Sequence, residues 1–258
     1  MGLRICLVTP FSWSQPHDVN EHVAGAATEL RRLGHDVTVL APSGRASDLI
    51  AGRRALADGA HGEVIAVGPA VPISRRSRIG LPVGVRANLA LALSRGGYDV
   101  VHGFEPGLPS LSYVALRDSR ALAVASFFSP ERLSYPPSKA QRGRLLSRID
   151  ALLAVSPETA AAAALRFPGD YRLTPLGIDT ELFHPIEKRD VIVCEWRPGE
   201  RLLTKALYSI MKELPGWELM LLRTKALAGR PSVPSRLRGR VRVRTARSGL
   251  ARASILNE

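Results

Sequence analysis

Short apolar runs alternate with helix-periodic segments along this chain, and that alternation constrains the fold more than any other feature. Arg4–Thr9 is mostly apolar, as a parallel strand covered on both faces requires. From Asp18 to Leu33 the residues Val19, Val23, Ala26, Ala27, Leu30 and Leu33 recur at helical spacing, and Gly34 follows where a left-handed cap is easiest for glycine. Asp36–Leu40 reads as the next strand, closed by Ala41-Pro42. The pattern predicts further strands at Glu63–Val67, Tyr98–Gly103, Ala121–Phe127, Ala151–Val155 and Tyr171–Thr174. Helices are predicted near Val83–Ser94, Leu108–Leu116, Ser138–Ser147 and Pro157–Leu165. Repeated βαβ units imply a parallel sheet with right-handed crossovers, whose ligands gather at the carboxyl ends of the strands.

Leu176–Pro185 reads as a linker, with Gly177 for a turn and Pro185 to stop regular structure. A second series follows: a strand at Asp190–Cys194, a helix over Gly199–Leu214, a strand at Trp217–Leu222, and a third around Val241 and Val243. The expected architecture is α/β, with a complete Rossmann-like parallel-sheet domain over residues 1–187. A second Rossmann-like domain over 188–258 reads as incomplete. The 258-residue length is long for one ordinary domain and short for two.

No apolar run approaches the roughly 20 residues that cross a bilayer, and the N-terminal stretch turns polar at Thr9 without a small-residue cleavage site. Cys6 and Cys194 lie in strand-like runs and form no disulfide framework, which points to a reducing cytoplasm. The net charge is +13, and residues 188–258 carry ten of those charges, with 16 Lys+Arg against 6 Asp+Glu. Eight arginines and no acid lie between Gly229 and Arg252. Such a stretch fits a solvated basic surface or an anionic partner. The scarcity of interleaved aromatics weighs against nucleic acid.

The loop Thr9–Asp18 joins the first strand to the first helix, where an α/β fold offers backbone N–H groups to a phosphate. It contains no glycine, so it makes a poor phosphate cradle by itself. No His/Cys/Asp cluster has metal-ligand spacing, and no nucleophile elbow or Walker loop is present. No metal or cofactor is expected. His102 and Glu105-Pro106 end a strand, at the edge where a parallel sheet meets its ligands. His35, in a turn, reads as structural.

Several blocks now combine. Pro10-Phe11-Ser12, then His22, then Leu30-Arg31-Arg32-Leu33-Gly34-His35-Asp36-Val37-Thr38-Val39-Leu40-Ala41-Pro42 resemble the start of a family 4 glycosyltransferase of the GT-B fold. The nearest similarity is to the phosphatidylinositol mannosyltransferases of actinobacteria. Asp99-Val100-Val101-His102-Gly103-Phe104-Glu105-Pro106 resembles the family's Asp-Val-aliphatic-His-x-His-x-Pro element, with Phe104 at the second histidine. Ile149–Ser156 and Thr174–Phe183 resemble the strand ending in serine and the segment leading into the second domain.

The resemblance implies an acceptor-binding first domain and a second that grips the nucleotide of a sugar donor, with transfer of a hexose retaining anomeric configuration. Arg197 and Lys205 are the nearest matches to the family's donor-phosphate Arg and Lys, with Trp196 where a glycine is usual. Phe11, His17, Asp18, Asn20, His102 and Glu105 are the acceptor or cleft candidates. His17-Asp18 stand where the family carries Gly-Gly, and Phe128 stands where it carries a histidine, so no catalytic residue is assigned. The paired family glutamates would lie beyond Glu258. The acceptor is expected to be a sugar, a lipid or a phosphorylated molecule. Arg75-Arg76-Ser77-Arg78 and the family's habit imply a peripheral contact with an anionic membrane at its cytoplasmic face.

Three functions remain open on this reading. The first is a hexosyltransferase using a nucleotide sugar. The second is a non-catalytic or truncated relative acting as a binding module, favoured by Asp18 and Phe128. The third is an arginine-rich nucleic-acid binder, which requires the arginines after Gly229 to form one exposed stripe.

Overall fold

A computed structural model describes residues 2–15, 17–59, 64–72, 78–184, 187, 189–196, 199–223, 229–246 and 249–257. The chain forms two compact units, Met1–Gly177 and Ile178–Glu258. The division falls inside the expected linker and ahead of the expected 187/188 boundary. Asn257 Nδ2 donates to the Leu182 carbonyl at 2.9 Å, tying part of that linker to the second unit.

The first unit runs β1 (Arg4–Val8), α1 (Asp18–Arg32), β2 (Asp36–Ser43), α2 (Ala46–Asp58), β3 (Val64–Pro69), β4 (Val71–Pro72), β5 (Arg78–Ile79), α3 (Pro82–Gly96) and β6 (Val100–Phe104). It continues through α4 (Leu111–Asp118), β7 (Leu122–Phe127), a 3-10 turn at Pro130–Arg132, α5 (Lys139–Leu146), β8 (Ala151–Ala154), α6 (Pro157–Ala164) and β9 (Tyr171–Leu173). Seven strands form one sheet in the order β3-β2-β1-β6-β7-β8-β9, and every pairing is parallel. The order reverses between β1 and β6, so the crevice beyond their carboxyl ends is the topological switch point.

Both faces of this sheet are buried, which is why its strands are apolar at successive positions. Ile5 and Leu7 pack with Val19, Val23 and Ala27 of α1, while Cys6 and Val8 join the opposite core with Leu89, Val114 and Leu116. α1 ends as its sequence predicts: Gly34 adopts φ +90° and donates to the Arg31 carbonyl at 2.9 Å.

Three features depart from the sequence reading. β2 runs through Ala41-Pro42 to Ser43, because a register shift between Ala41 and Pro42 accommodates the missing N–H. α2 was not anticipated: its central Gly52 looks like a helix breaker, yet a Cβ there would lie 2.2 Å from the Ala66 carbonyl of β3, so glycine is what lets the helix dock. β4 and β5 form an unanticipated antiparallel pair whose Ile79 bridges to Phe11, roofing the β1–α1 loop.

The second unit contains β10 (Val191–Glu195), α7 (Arg201–Glu213), β11 (Glu218–Arg223), β12 (Val241–Thr245) and α8 (Gly249–Asn257), with a parallel sheet ordered β10-β11-β12. Leu207 and Met211 of α7 pack on Leu219 and Leu221, while Met220 and Leu222 pack with Ile255 of α8 on the other face. α8, too, lies where the sequence reading placed no element.

Candidate functional site

At the switch point the β1–α1 loop is held from within. Thr9 Oγ1 donates to Asn20 Oδ1 at 2.6 Å, and Asn20 Nδ2 donates to the Ser12 carbonyl at 3.0 Å. Asn20 is only 7% exposed. The structure therefore engages this expected cleft contact in tying the loop to α1.

Phe11, a buried residue of the loop, meets an imidazole and a guanidinium. The His17 ring stacks on it with centroids 3.5 Å apart and 15° between planes, and the Arg132 guanidinium lies 5.1 Å from its centroid. His17 is the N-cap of α1. Its Nδ1 lies 3.2 Å from the Val19 N–H and 2.7 Å from Asp18 Oδ1. One nitrogen cannot serve both: a bare Nδ1 accepts from the amide, whereas a protonated one donates to the carboxylate. Arg132 lies 3.8 Å from Asp18 on the other side. Burial pushes the Asp18 carboxyl up, but His17, Arg132 and the Val19 N–H outweigh it and hold it down at about 2. Asp18 is thus a fixed negative charge at the start of α1, where the helix dipole also favours an anion.

Glu105 is the most constrained side chain at the site. It follows β6 in the left-handed region at φ 52°, which costs a residue with a Cβ about 1–2 kcal/mol. It is 0% exposed. Its Oε1 accepts from the Phe128 N–H at 2.9 Å and from Arg132 Nη1 at 3.4 Å, while Oε2 is buried with no hydrogen-bond partner. Burial pushes its carboxyl up to about 8 against the pull of Arg132 and the Phe128 N–H. Backbone strain and an orphaned buried oxygen together mark this as a position shaped for something beyond packing.

His102, two residues before Phe104 on β6, stacks on that phenyl ring at 4.2 Å and places Nε2 2.7 Å from Ser126 Oγ. Burial, aided by the neighbouring His22, pushes it down to about 3, so it is a neutral imidazole. Phe128 stands half-buried beyond β7, edge-on to His22 at 5.1 Å and to Phe104 at 5.9 Å. It completes an aromatic cluster with those two rings and can neither titrate nor donate.

The first unit thus brings Phe11, His17, Asp18, His102, Glu105 and Phe128 to one end of the sheet. Arg132 is the member that sequence reasoning missed. Its only local signal is Ser129-Pro130-Glu131, where the Ser129 Oγ accepts from the Glu131 N–H at 3.3 Å and announces a turn. His35 is structural, as expected: its Nδ1 accepts from the Leu3 N–H at 3.1 Å.

Lys205 is exposed on α7, and Arg197 lies outside the described residues, as do Arg75, Arg76 and Ser77. Two arginines of the basic stretch have partners within the second unit. Arg240 donates to the carbonyls of Met211 at 2.6 Å, Leu214 at 2.7 Å and Pro215 at 2.9 Å, closing the end of α7, and Arg242 pairs with Glu218 at 3.0 Å. Among the described residues no group of three His, Cys, Asp or Glu side chains is placed to hold a metal ion, and no helix is long and apolar enough to cross a membrane.

Comparison with known proteins locates this arrangement in a family. A family model described as Glycosyltransferase Family 4 matches residues 19–182. A phosphatidyl-myo-inositol mannosyltransferase of Propionibacterium freudenreichii subsp. shermanii is 31% identical over 84% of this chain and 56% of its own length. The protein of that name from Mycolicibacterium smegmatis is 28% identical over 85% of this chain and 58% of its own. The chain therefore spans little more than half the length of these relatives. Among solved structures, the glycotransferase of kitacinnamycin aligns with a TM-score of 0.55 at 15% identity, covering 94% of this chain and 70% of its own. TarM aligns with a TM-score of 0.54 at 8% identity over 94% of this chain and 76% of its own. Those two likenesses concern fold, and they place the α/β units in the GT-B class. With a strand-end site at the switch point and a family match over most of the first unit, the chain belongs to glycosyltransferase family 4.

Proposed function

We propose that this chain carries the acceptor-side half of a retaining hexosyltransferase, which moves a hexose from a nucleotide sugar to a ring polyol borne on a lipid or phosphorylated acceptor. The observation that carries the reading is Glu105. It is buried, strained and half-unpartnered at the switch point, beside a guanidinium and an aromatic cluster. Because burial brings its carboxyl to about 8, both protonation states are populated near neutral pH. Such a group can donate to an acceptor hydroxyl or accept from it. Departure of the nucleoside diphosphate develops negative charge on its β-phosphate, which needs preorganised positive groups. Arg197 and Lys205 are the residues proposed for that role. Work at the cytoplasmic face of an anionic membrane fits the lipid named for the relatives.

A second reading, binding without turnover, is favoured by two observations. The Asp18 charge sits in the loop that the resemblance brings towards a donor phosphate, and its repulsion of an anion at 4 Å is about 1–4 kcal/mol depending on screening. Phe128 also supplies no polar atom. Calorimetric titration of the full chain with UDP-, GDP- and ADP-hexoses tests the donor half of the proposal. Saturable heat with one nucleotide supports it, and silence with all three at millimolar concentration refutes it. Transfer of labelled hexose to an inositol acceptor then separates an enzyme from a binding module.

A further inference from the structure

Three imidazoles stand at the switch point, and they are not equivalent. His17 is engaged by Asp18 or the Val19 N–H, and His102 by the Ser126 hydroxyl. His22, one turn into α1, makes no hydrogen bond among the described residues and packs T-shaped against two phenyl rings, 5.1 Å from Phe128 and 6.0 Å from Phe104. It is half-buried, so its ring is fixed by packing while part of it remains accessible. A half-buried imidazole with spare donor and acceptor capacity beside two phenyl rings leaves its nitrogens available to a ligand.

We propose that His22 binds a hydroxyl of the acceptor polyol, supplying over the Phe128 ring the polar contact that Phe128 itself cannot make. The half-buried Phe128 ring offers its π-electron face to the C–H-bearing side of a sugar or cyclitol ring, and the imidazole receives its rim hydroxyl. Burial pushes the His22 ring down, so it is neutral near pH 7, with one nitrogen donating and the other accepting. A hydroxyl that both gives and takes a hydrogen bond matches such a ring, whereas a phosphate would find only one donor. The inference rests on the acceptor reading of the site and names the residue that executes it.

The test uses the full chain labelled with 15N at histidine and titrated with myo-inositol, following the imidazole nitrogens by NMR. The nitrogens of His22 are expected to move in a saturable manner while those of His35 stay still. His22→Phe keeps the ring and removes the nitrogens, and should weaken myo-inositol binding by about 3- to 10-fold, the value of one neutral hydrogen bond. His22→Gln, which keeps a donor and an acceptor, should recover most of that loss. Should His22→Phe fail to fold, the wild-type shifts decide. Saturable shifts at His17 or His102 with His22 unmoved would overturn the role of His22 and leave the acceptor site standing. No saturable shift at any site imidazole would overturn the acceptor reading and this inference with it.

Discussion

The Arg132 guanidinium lies 3.4 Å from Glu105, the one wholly buried acid among the described residues, yet it does not hold that carboxyl ionised. Desolvation wins because only Oε1 is contacted and Oε2 has no partner. The consequence is a stability that depends on pH in a defined direction. With the usual value at 4.5 and the folded value near 8, the folded chain keeps a proton here that the unfolded chain has released. The contribution of Glu105 is complete below about pH 4.5 and is lost as pH rises towards 8. Asp18 acts in the opposite sense: its contribution is present above its usual 3.8 and is lost as pH falls through about 2. His22 and His102, held neutral, likewise stabilise above 6.5 and lose that stabilisation on acidification. Comparing wild type with Glu105→Gln isolates the one group. Urea unfolding at pH 5 and pH 8 should show the variant gaining about 2–4 kcal/mol on wild type across that interval. Equal pH slopes for the two proteins would show that Glu105 is ordinarily ionised in the fold.

Two helical glycines should respond to alanine with opposite signs. A Cβ at Gly25 of α1 would meet nothing within 4 Å, so Gly25→Ala should stabilise by about 0.5–1 kcal/mol through backbone entropy. Gly52→Ala gains the same propensity but places a methyl 2.2 Å from the Ala66 carbonyl, forcing α2 off β3. Overpacking of about 1–3 kcal/mol outweighs the gain. Thermal unfolding of both variants checks the pair, and a stable Gly52→Ala would mean that α2 does not dock as described.

These positions also show what the sequence could convey. α1 and β2 were legible because Gly34-His35-Asp36 separates a 3.6-residue period from an apolar run, and local rules decide both. α2 was not, since its centre is glycine and its reason for being glycine is a contact with another element. The candidates at the site divide in the same way. His102 and Glu105 announce themselves by ending a strand before Pro106. Arg132 becomes part of the site only when the turn after β7 meets the start of α1, a relationship that no local pattern encodes. Among the arginines after Gly229, no local pattern separates Arg240, which closes a helix, from the exposed Arg236 and Arg238.

That closure is itself testable. Arg240 donates to three carbonyls at and beyond the C-terminal turn of α7, where unpaired acceptors and the negative end of the helix dipole coincide. Arg240→Ala should cost the second unit about 1.5–3 kcal/mol, as for a hydrogen bond made by a charged group. Arg240→Lys should recover only part, because an ammonium lacks the planar fork. Arg238→Ala, at an exposed position, should change stability by less than about 0.5 kcal/mol. Hydrogen exchange at the amides of Tyr208–Glu213 reports the effect locally. Equal protection in Arg240→Ala and Arg238→Ala would rule out the capping role.

Phe128 offers the most direct change to the site. Its ring is packed edge-on between His22 and Phe104, so Phe128→His preserves the shape while adding two nitrogens to the crevice. Partial desolvation of those nitrogens should cost about 1 kcal/mol of stability. The added donor should tighten myo-inositol binding about 3- to 10-fold if the acceptor lies over this ring. Phe128→Ala removes the platform and should weaken binding while costing more stability, because a cavity opens beneath His22. Calorimetric dissociation constants for the three proteins decide the matter. A gain for histidine and a loss for alanine put the acceptor on the Phe128 ring, whereas three equal constants would move it elsewhere in the crevice.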